Sequence, residues 1–484
     1  MSAPTFFQAD PVQQGTLEKR YLIDPSAKGL SLFRGMYQRI MPFGMESIQQ
    51  EIPDADFGKK VTVKTNRAGD HLFWTTIQNL VPALKVGAGS NSYVVAKTLG
   101  DSAGDCDGTT AVDAYLSAVK STFARGTDEY QHTPADSAGN VFGAGTQTTG
   151  GDGVVGVASG ESAGDEHWAV WVDELANVLM EEIVIKCNNN QVDRFTREYD
   201  HCHNELFNRK DATQILGIHA SQEDAVRSAL VDQYVYTPVP AYFCRAMGNL
   251  FDLASALFTV PTFVLKYAAL TDCIVVSDQA CGVTAEDGSA IKLKQSILDT
   301  TQIVVPESER LRLHQHKHKQ LISQVQTRTF SKKNQNKVEL DVKFPNPALE
   351  LIFHVRRDCA TKANMWFHFW GIGGYDPIAK VELKVNSVSK ESERQGEYFR
   401  KMKPFRQHTM VPVSCIYTNP FAIDPEAAEF PTGYFTLGRM DSAVLVLTLQ
   451  SGLADEDVEF FVHARTLNIM EYSNSSARPE FVSS

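Results

Sequence analysis

The chain has 484 residues, which exceeds one typical core and predicts two or more domains; 43% hydrophobic and 21% charged residues describe a globular protein. A formal net charge of −12 argues against a chain that binds bare nucleic acid through a basic face. Eight scattered cysteines with no Cys-x-x-Cys pair predict free thiols in a reducing compartment.

Residues 1–24 read as a polar arm with no basic region followed by an apolar run, so no signal peptide is expected. Val61, Val63 and Thr65 alternate as in a half-buried strand. Residues 86–167 differ in kind. They hold 15 of the 32 glycines and eleven acids against three bases, a net of −8, with little apolar periodicity. That composition predicts a long surface insertion, with one short helix at 111–119. Glu182 to Lys186 read as a strand and Asn188 to Asn190 as a turn. Residues 194–208 read as a helix with Phe195, Tyr199, Cys202 and Leu206 on one stripe. The apolar run from Leu253 to Leu265 is interrupted by Pro261 and is too short to span a membrane, so it reads as a buried strand pair.

Ser296 to Val305 form another expected strand, followed by a charged connector at Pro306 to Arg310. Beyond it, Gln320 to Phe330, Val338 to Phe344, Leu349 to Val355, Met365 to Trp370, Val381 to Val385 and Val458 to Ile469 read as strands separated by turns. Cys415 to Ala422 is an extended run stopped by Asp424-Pro425, and Pro431-Thr432-Gly433 makes a second corner. Val444 to Leu449 is apolar on both faces, as in a strand deep inside a sheet. Many short strands with few helices predict an all-β sandwich architecture.

The stretch from Ser414 to Gln450 resembles the C-terminal signature of the major capsid proteins of nucleocytoplasmic large DNA viruses. Pro431, Gly433, Phe435, Arg439 and Asp441 keep the pattern, whereas Thr432, Gly438, Met440 and Ser442 depart from it. Near the other end, Phe33, Tyr37, Arg39, Phe43, Glu46, Ser47 and Ile48 match the family's opening segment, and Tyr472-Ser473-Asn474 echoes its closing one. Residues 22–85, 168–208 and 296–484 follow the family in order. The resemblance implies two consecutive eight-stranded antiparallel jelly-roll sandwiches with long loop insertions. It places an N-terminal arm at 1–24, a first jelly roll at 25–307 and a second at 308–484. It implies a structural protein, not an enzyme, that forms trimeric pseudo-hexagonal capsomers of a large icosahedral double-stranded DNA virus. Expected partners are other copies of the chain, minor capsid proteins and a host surface met through exposed loops, with no direct nucleic-acid contact. The expected location is the virion shell, preceded by the host cytoplasm. No cofactor, metal or catalytic residue is implied.

Four constellations carry residues suited to chemistry. Gly100 to Gly104 and Gly160 to Gly164 both match Gly-x-Ser-x-Gly, but neither has the parallel sheet and following helix that a nucleophile elbow needs, and composition explains both. In Asp200-His201-Cys202-His203, Cys202 lies on the apolar stripe and the two histidines diverge, so the expectation is a solvated or interfacial helix without metal. His314, His316 and His318 would share one face if they lay on a strand, as in cupin metalloenzymes, but Gln320 and Leu321 stand where a ligand acid is needed. A polar strand edge or subunit contact is the plainer reading. Asn474-Ser475-Ser476 is a glycosylation sequon, with processing not expected. The alternatives to a capsid protein are a carbohydrate- or receptor-binding β-sandwich and a cupin-like metalloenzyme.

Overall fold

The computed structural model describes residues 42–88, 169–208, 213–219, 225, 228–276, 281–285, 288–315, 317–332, 335–362, 364–427, 431–453 and 456–481. The N-terminal arm, the matches at Phe33, Tyr37 and Arg39, nearly all of the acidic insertion, both Gly-x-Ser-x-Gly segments and His316 lie outside these residues.

Before residue 305 the strands are β1 (Gly44–Glu51), β2 (Lys60–Lys64), β3 (His71–Val81), β4 (Leu84–Ala88), β5 (Ala169–Trp171), β6 (Met180–Cys187), β7 (Asn190–Thr196), β8 (Gln233–Pro238), β9 (Phe251–Asp252), β10 (Thr262–Tyr267), β11 (Ile274–Val276), β12 (Cys281–Ala285) and β13 (Gln295–Val304). After it come β14 (His318–Lys332), β15 (Lys337–Asp341), β16 (Ala348–Arg357), β17 (Ile378–Val385), β18 (Val388–Gln395), β19 (Tyr417–Pro420), β20 (Ala443–Leu449), β21 (Val458–Ser473) and β22 (Ser476–Pro479).

The first set builds one sheet ordered β1-β13-β3-β8 and another ordered β2-β10-β6-β7. The second set builds β14-β21-β16-β19 and β15-β20-β17-β18. Counting only these eight strands of each set in chain order, both halves read 1-8-3-6 in one sheet and 2-7-4-5 in the other. The ladders are antiparallel. The chain has folded the same jelly-roll path twice. The ribbons β4-β12 and β5-β11 are additions to the first half.

Local sequence explains the equivalences. The second strand of each half carries the same alternation: Val61 and Val63 are buried on β2, and Val338 and Leu340 on β15, with exposed residues between them. The fourth and fifth strands of each half are joined by a two-residue hairpin with positive φ at both positions, Asn188-Asn189 in one and Asn386-Ser387 in the other. Such turns match the right-handed twist of the strands, and asparagine tolerates the left-handed region. Strand β20 lies between β15 and β17, with Leu445, Val446 and Leu447 buried on both faces and Val444 and Thr448 half-buried. Leu445, Leu447 and Leu449 are buried in the sandwich interior, each stabilising the fold by about 1.5–3 kcal/mol.

The corner before β20 is locked by its own side chains. Thr432 Oγ1 accepts from the Asp424 backbone N–H at 2.8 Å and donates to the Asp424 carbonyl at 2.8 Å. Gly433 has φ of 142°, and a β-carbon on Gly438 would stand 2.6 Å from the Phe344 carbonyl oxygen. The departure from the family pattern at Gly438 therefore has a steric reason.

Several expectations are corrected. Met365 to Trp370 form turns, not a strand, and the Met365 N–H donates to the carbonyl of Ala360 in helix Asp358–Lys362 at 2.9 Å. The stretch read as helix over 194–208 starts as the end of β7, and the helix itself is Arg197–Phe207. The connector at Pro306 opens helix Glu307–Gln315. Within Leu253 to Leu265 only the part from Thr262 onward is strand. Cys359 is disulfide-bonded, whereas Cys187, Cys202, Cys244, Cys273 and Cys415 are free thiols. No helix among the described residues is long and apolar enough to cross a membrane.

Candidate functional site

The most unusual chemistry lies in the seam where the two sandwiches meet. Strand β16 is buried at all ten positions. One face, with Leu351, Phe353 and Val355, fills the second sandwich; the alternate face carries Glu350, His354 and Arg356. Beside it, β21 presents Glu459, Phe461, His463 and Arg465. Helix Arg197–Phe207 of the first half packs on this face and buries eight of its eleven residues. Its N-terminus is capped by Thr196, whose Oγ1 accepts from the Tyr199 N–H at 3.5 Å.

Most buried charge in this seam is paired; Asp200 of the same helix is an exception, its carboxyl buried without a hydrogen-bond partner and its pKa pushed well above the usual value by burial and the neighbouring acids. Arg356 donates to Glu198 at 3.0 Å and to Glu459 at 2.9 Å. Burial works against the Glu198 carboxylate, but Arg356 and Arg197 hold its pKa below the usual value. Glu350 meets Arg465 at 2.6 Å and His408 at 3.0 Å, and His408 meets Glu426 at 3.2 Å. Burial alone would raise Glu350; His408 and Arg465 overcome it and bring it down to about 2. Burial likewise disfavours the His408 imidazolium, and Glu350 with Glu426 raises its pKa to about 9. Asp193 Oδ1 accepts the Val325 N–H of β14 at 2.9 Å, yet burial still pushes Asp193 up to about 7.

The helix motif is buried at the interface between the two sandwiches and is not solvated. His201 Nδ1 lies 2.7 Å from Glu174 and its ring stacks on Phe367 at 4.5 Å. Cys202 faces His354 and His463, with one ligand atom from each of the three within 4.8 Å of the others. Glu205 accepts the Val413 N–H at 2.8 Å. These residues drew notice in the sequence, but their partners did not. The available signal was the alternation of Glu350, His354 and Arg356 on an otherwise apolar strand.

The three-histidine stripe does not form among the described residues. His314 is exposed near the end of helix Glu307–Gln315, while His318 begins β14, stacks on Tyr472 at 4.6 Å and lies 3.3 Å from Asp252. A break in secondary structure separates residues that a single strand would have aligned. Asn474 and Ser475 form the turn between β21 and β22, both with positive φ.

The outer surface carries a different kind of candidate site. Phe258, Ile423, Phe405 and Tyr375 are 82%, 80%, 72% and 70% exposed. Single exposed apolar side chains are common on protein surfaces, and association is one way to cover them.

The family model described as "Large eukaryotic DNA virus major capsid protein" matches residues 309–477. A major capsid protein of Pyramimonas orientalis virus is 25% identical over 322 residues, spanning 60% of this chain and 74% of that protein. A major capsid protein of Phaeocystis pouchetii virus is 36% identical over 84 residues, 17% of this chain and 15% of that one. Among solved structures, VP54 of PBCV-1 matches with a TM-score of 0.62 and 15% identity, covering 93% of this chain and all of the other. The Faustovirus major capsid protein matches with a TM-score of 0.63 and 9% identity over 95% and 94% of the two chains. The structural likeness carries the double jelly-roll fold, and the sequence matches make this chain similar to the major capsid proteins of large eukaryotic DNA viruses, over residues 309–477 for the family model.

Proposed function

We propose that the chain builds the shell as a homotrimer whose outline is close to hexagonal. One observation carries this reading: both halves share the strand orders 1-8-3-6 and 2-7-4-5. Two like sandwiches in each of three subunits supply six similar wedges around one axis. None of the four principal sheets mixes strands from the two sides of residue 308, which supports a first jelly roll at 25–307 and a second at 308–484.

Assembly of this kind draws its energy from buried surface, and obligate interfaces bury about 2,000–5,000 Å². Exposed apolar side chains such as Phe405 and Ile423 supply surface for trimer and lattice contacts. No catalytic step is part of this role. Exposure of the acidic segment 86–167 on the particle is the expectation of its composition: its self-repulsion would limit wrong association, and a host surface would meet it first. Minor capsid proteins bind between capsomers, and the chain waits in the host cytoplasm before assembly. Its net charge of −12 keeps it from direct contact with the genome.

The deciding measurement is the solution mass by light scattering after size exclusion. A stable species of three times 53.6 kDa is expected. A monomer at every concentration and salt tested overturns the capsomer reading. An antibody against residues 86–167 should bind intact particles, and failure to bind them would reverse the assigned orientation.

A further inference from the structure

We infer that Cys202, His354 and His463 form a zinc site that staples the first sandwich to the second. Cys202 comes from helix Arg197–Phe207, His354 from β16 and His463 from β21. In the ladder, His354 stands opposite Phe461 and His463 opposite Ile352, so the two histidines are diagonal neighbours on the seam face of one sheet.

Their separation is the first argument. His354 Nε2 and His463 Nε2 stand 3.3 Å apart. Two nitrogens bound at about 2.05 Å to a tetrahedral zinc stand about 3.3 Å apart. Without metal the same spacing is held by an N–H···N hydrogen bond between the two rings, which a metal ion would replace. With the Cys202 sulfur, all three ligand atoms fall within 4.8 Å of one another, so one cation reaches all three with small side-chain adjustments.

Preorganisation is the second argument. The His354 ring is held between Phe369, at 4.0 Å, and Phe461, at 4.9 Å, both stacked. Tyr199 packs edge-on against His463 at 5.5 Å. His463 Nδ1 lies 2.9 Å from Thr327 Oγ1, a second hydrogen bond of the sort that fixes the tautomer of a metal-bound imidazole and leaves the Nε2 lone pair free.

Donor chemistry selects the ion. A thiolate with two imidazoles suits zinc and disfavours magnesium or calcium, which take oxygen. Binding replaces the Cys202 thiol proton, which leaves to solvent as the Zn–S bond forms. Three protein ligands leave one tetrahedral position for water. Because the ligands come from both halves, the metal's binding free energy becomes part of the free energy that holds the sandwiches together.

The test uses the full chain, purified without tag or chelator under reducing conditions. Metal analysis should give close to one zinc per chain. Stripped protein given Co(II) should show a thiolate-to-cobalt absorption band in the near ultraviolet. Cys202→Ala should lose that band and the zinc. Thr327→Val leaves the ligands in place and should weaken zinc binding about 10–100-fold. Wild-type folded protein that holds well under one zinc per chain, both as purified and after equilibration with zinc, overturns the inference. So does a Cys202→Ala protein that retains full zinc. Should Cys202→Ala fail to fold, the wild-type zinc and cobalt measurements decide alone. None of these outcomes touches the capsomer reading, which rests on mass.

Discussion

Within strand β16 two neighbouring faces answer the same problem of burial in opposite ways. Leu351, Phe353 and Val355 enter an apolar sandwich interior, where Phe353 stacks on Tyr417 at 5.6 Å. One residue along, Glu350, His354 and Arg356 enter the seam and are just as buried. The interior is stabilised by removing apolar surface from water, an additive and forgiving term. The seam depends on its ionised groups finding partners, because an unpaired buried charge is far costlier than a missing methyl group. An apolar interior tells a sheet only that it must be covered. The seam specifies which helix covers it and in what register.

The largest break should come at Glu350. Glu350→Ala leaves Arg465 and His408 buried without their shared carboxylate, and a loss of about 3–5 kcal/mol is expected, read as a lower urea midpoint. Phe353→Ala on the other face should cost a similar amount through its cavity. The two faces then separate in a double-mutant cycle. Arg356→Met and Glu198→Leu should each destabilise, while the double variant recovers about 1–3 kcal/mol of their sum, since removing both charges removes the need for pairing. The coupling stays moderate because Glu198 keeps Arg197 at 3.6 Å and Arg356 also binds Glu459. Strict additivity would mean that the seam behaves like the core.

Most of the fold was legible because its signals are local. The alternation of Val61 and Val63, the doubly apolar Val444 to Leu449 and the asparagine turn at 188–189 each report a strand or hairpin without help from the rest of the chain. The failures share a cause. Met365 to Trp370 is apolar enough for a strand, but it is buried by wrapping a turn against its neighbours, with the Trp366 indole N–H donating to the Asp272 carbonyl at 2.9 Å. Phe195 was placed on a helical stripe because a strand's last residues and a helix's first residues can share one apolar pattern. The Cys202 grouping could not be seen at all. Its partners lie 152 and 261 residues away, on strands whose register no local pattern fixes.

The effect of pH is graded, and it reports the seam most directly under native conditions. His408 is enclosed by Glu350 at 3.0 Å and Glu426 at 3.2 Å, with Phe207 edge-on at 5.3 Å, and its pKa is raised from 6.5 to about 9. A histidine whose folded pKa is raised contributes stability that is complete below about 6.5 and is lost as pH rises through about 9. Over that window one proton is at stake, so the slope of stability is at most about 1.4 kcal/mol per pH unit. Glu350 titrates far below the window, with its pKa near 2, and Arg465 stays charged throughout, so neither masks the signal. His408→Gln keeps much of the shape and removes the proton. The wild type should therefore lose stability relative to His408→Gln between pH 6.5 and 9, measured by urea midpoints at each pH. Parallel profiles would show that His408 is neutral in the folded protein and that Arg465 alone balances Glu350. The seam would then rest on one ion pair instead of a network, and the Glu350→Ala loss should fall toward the lower end of its range.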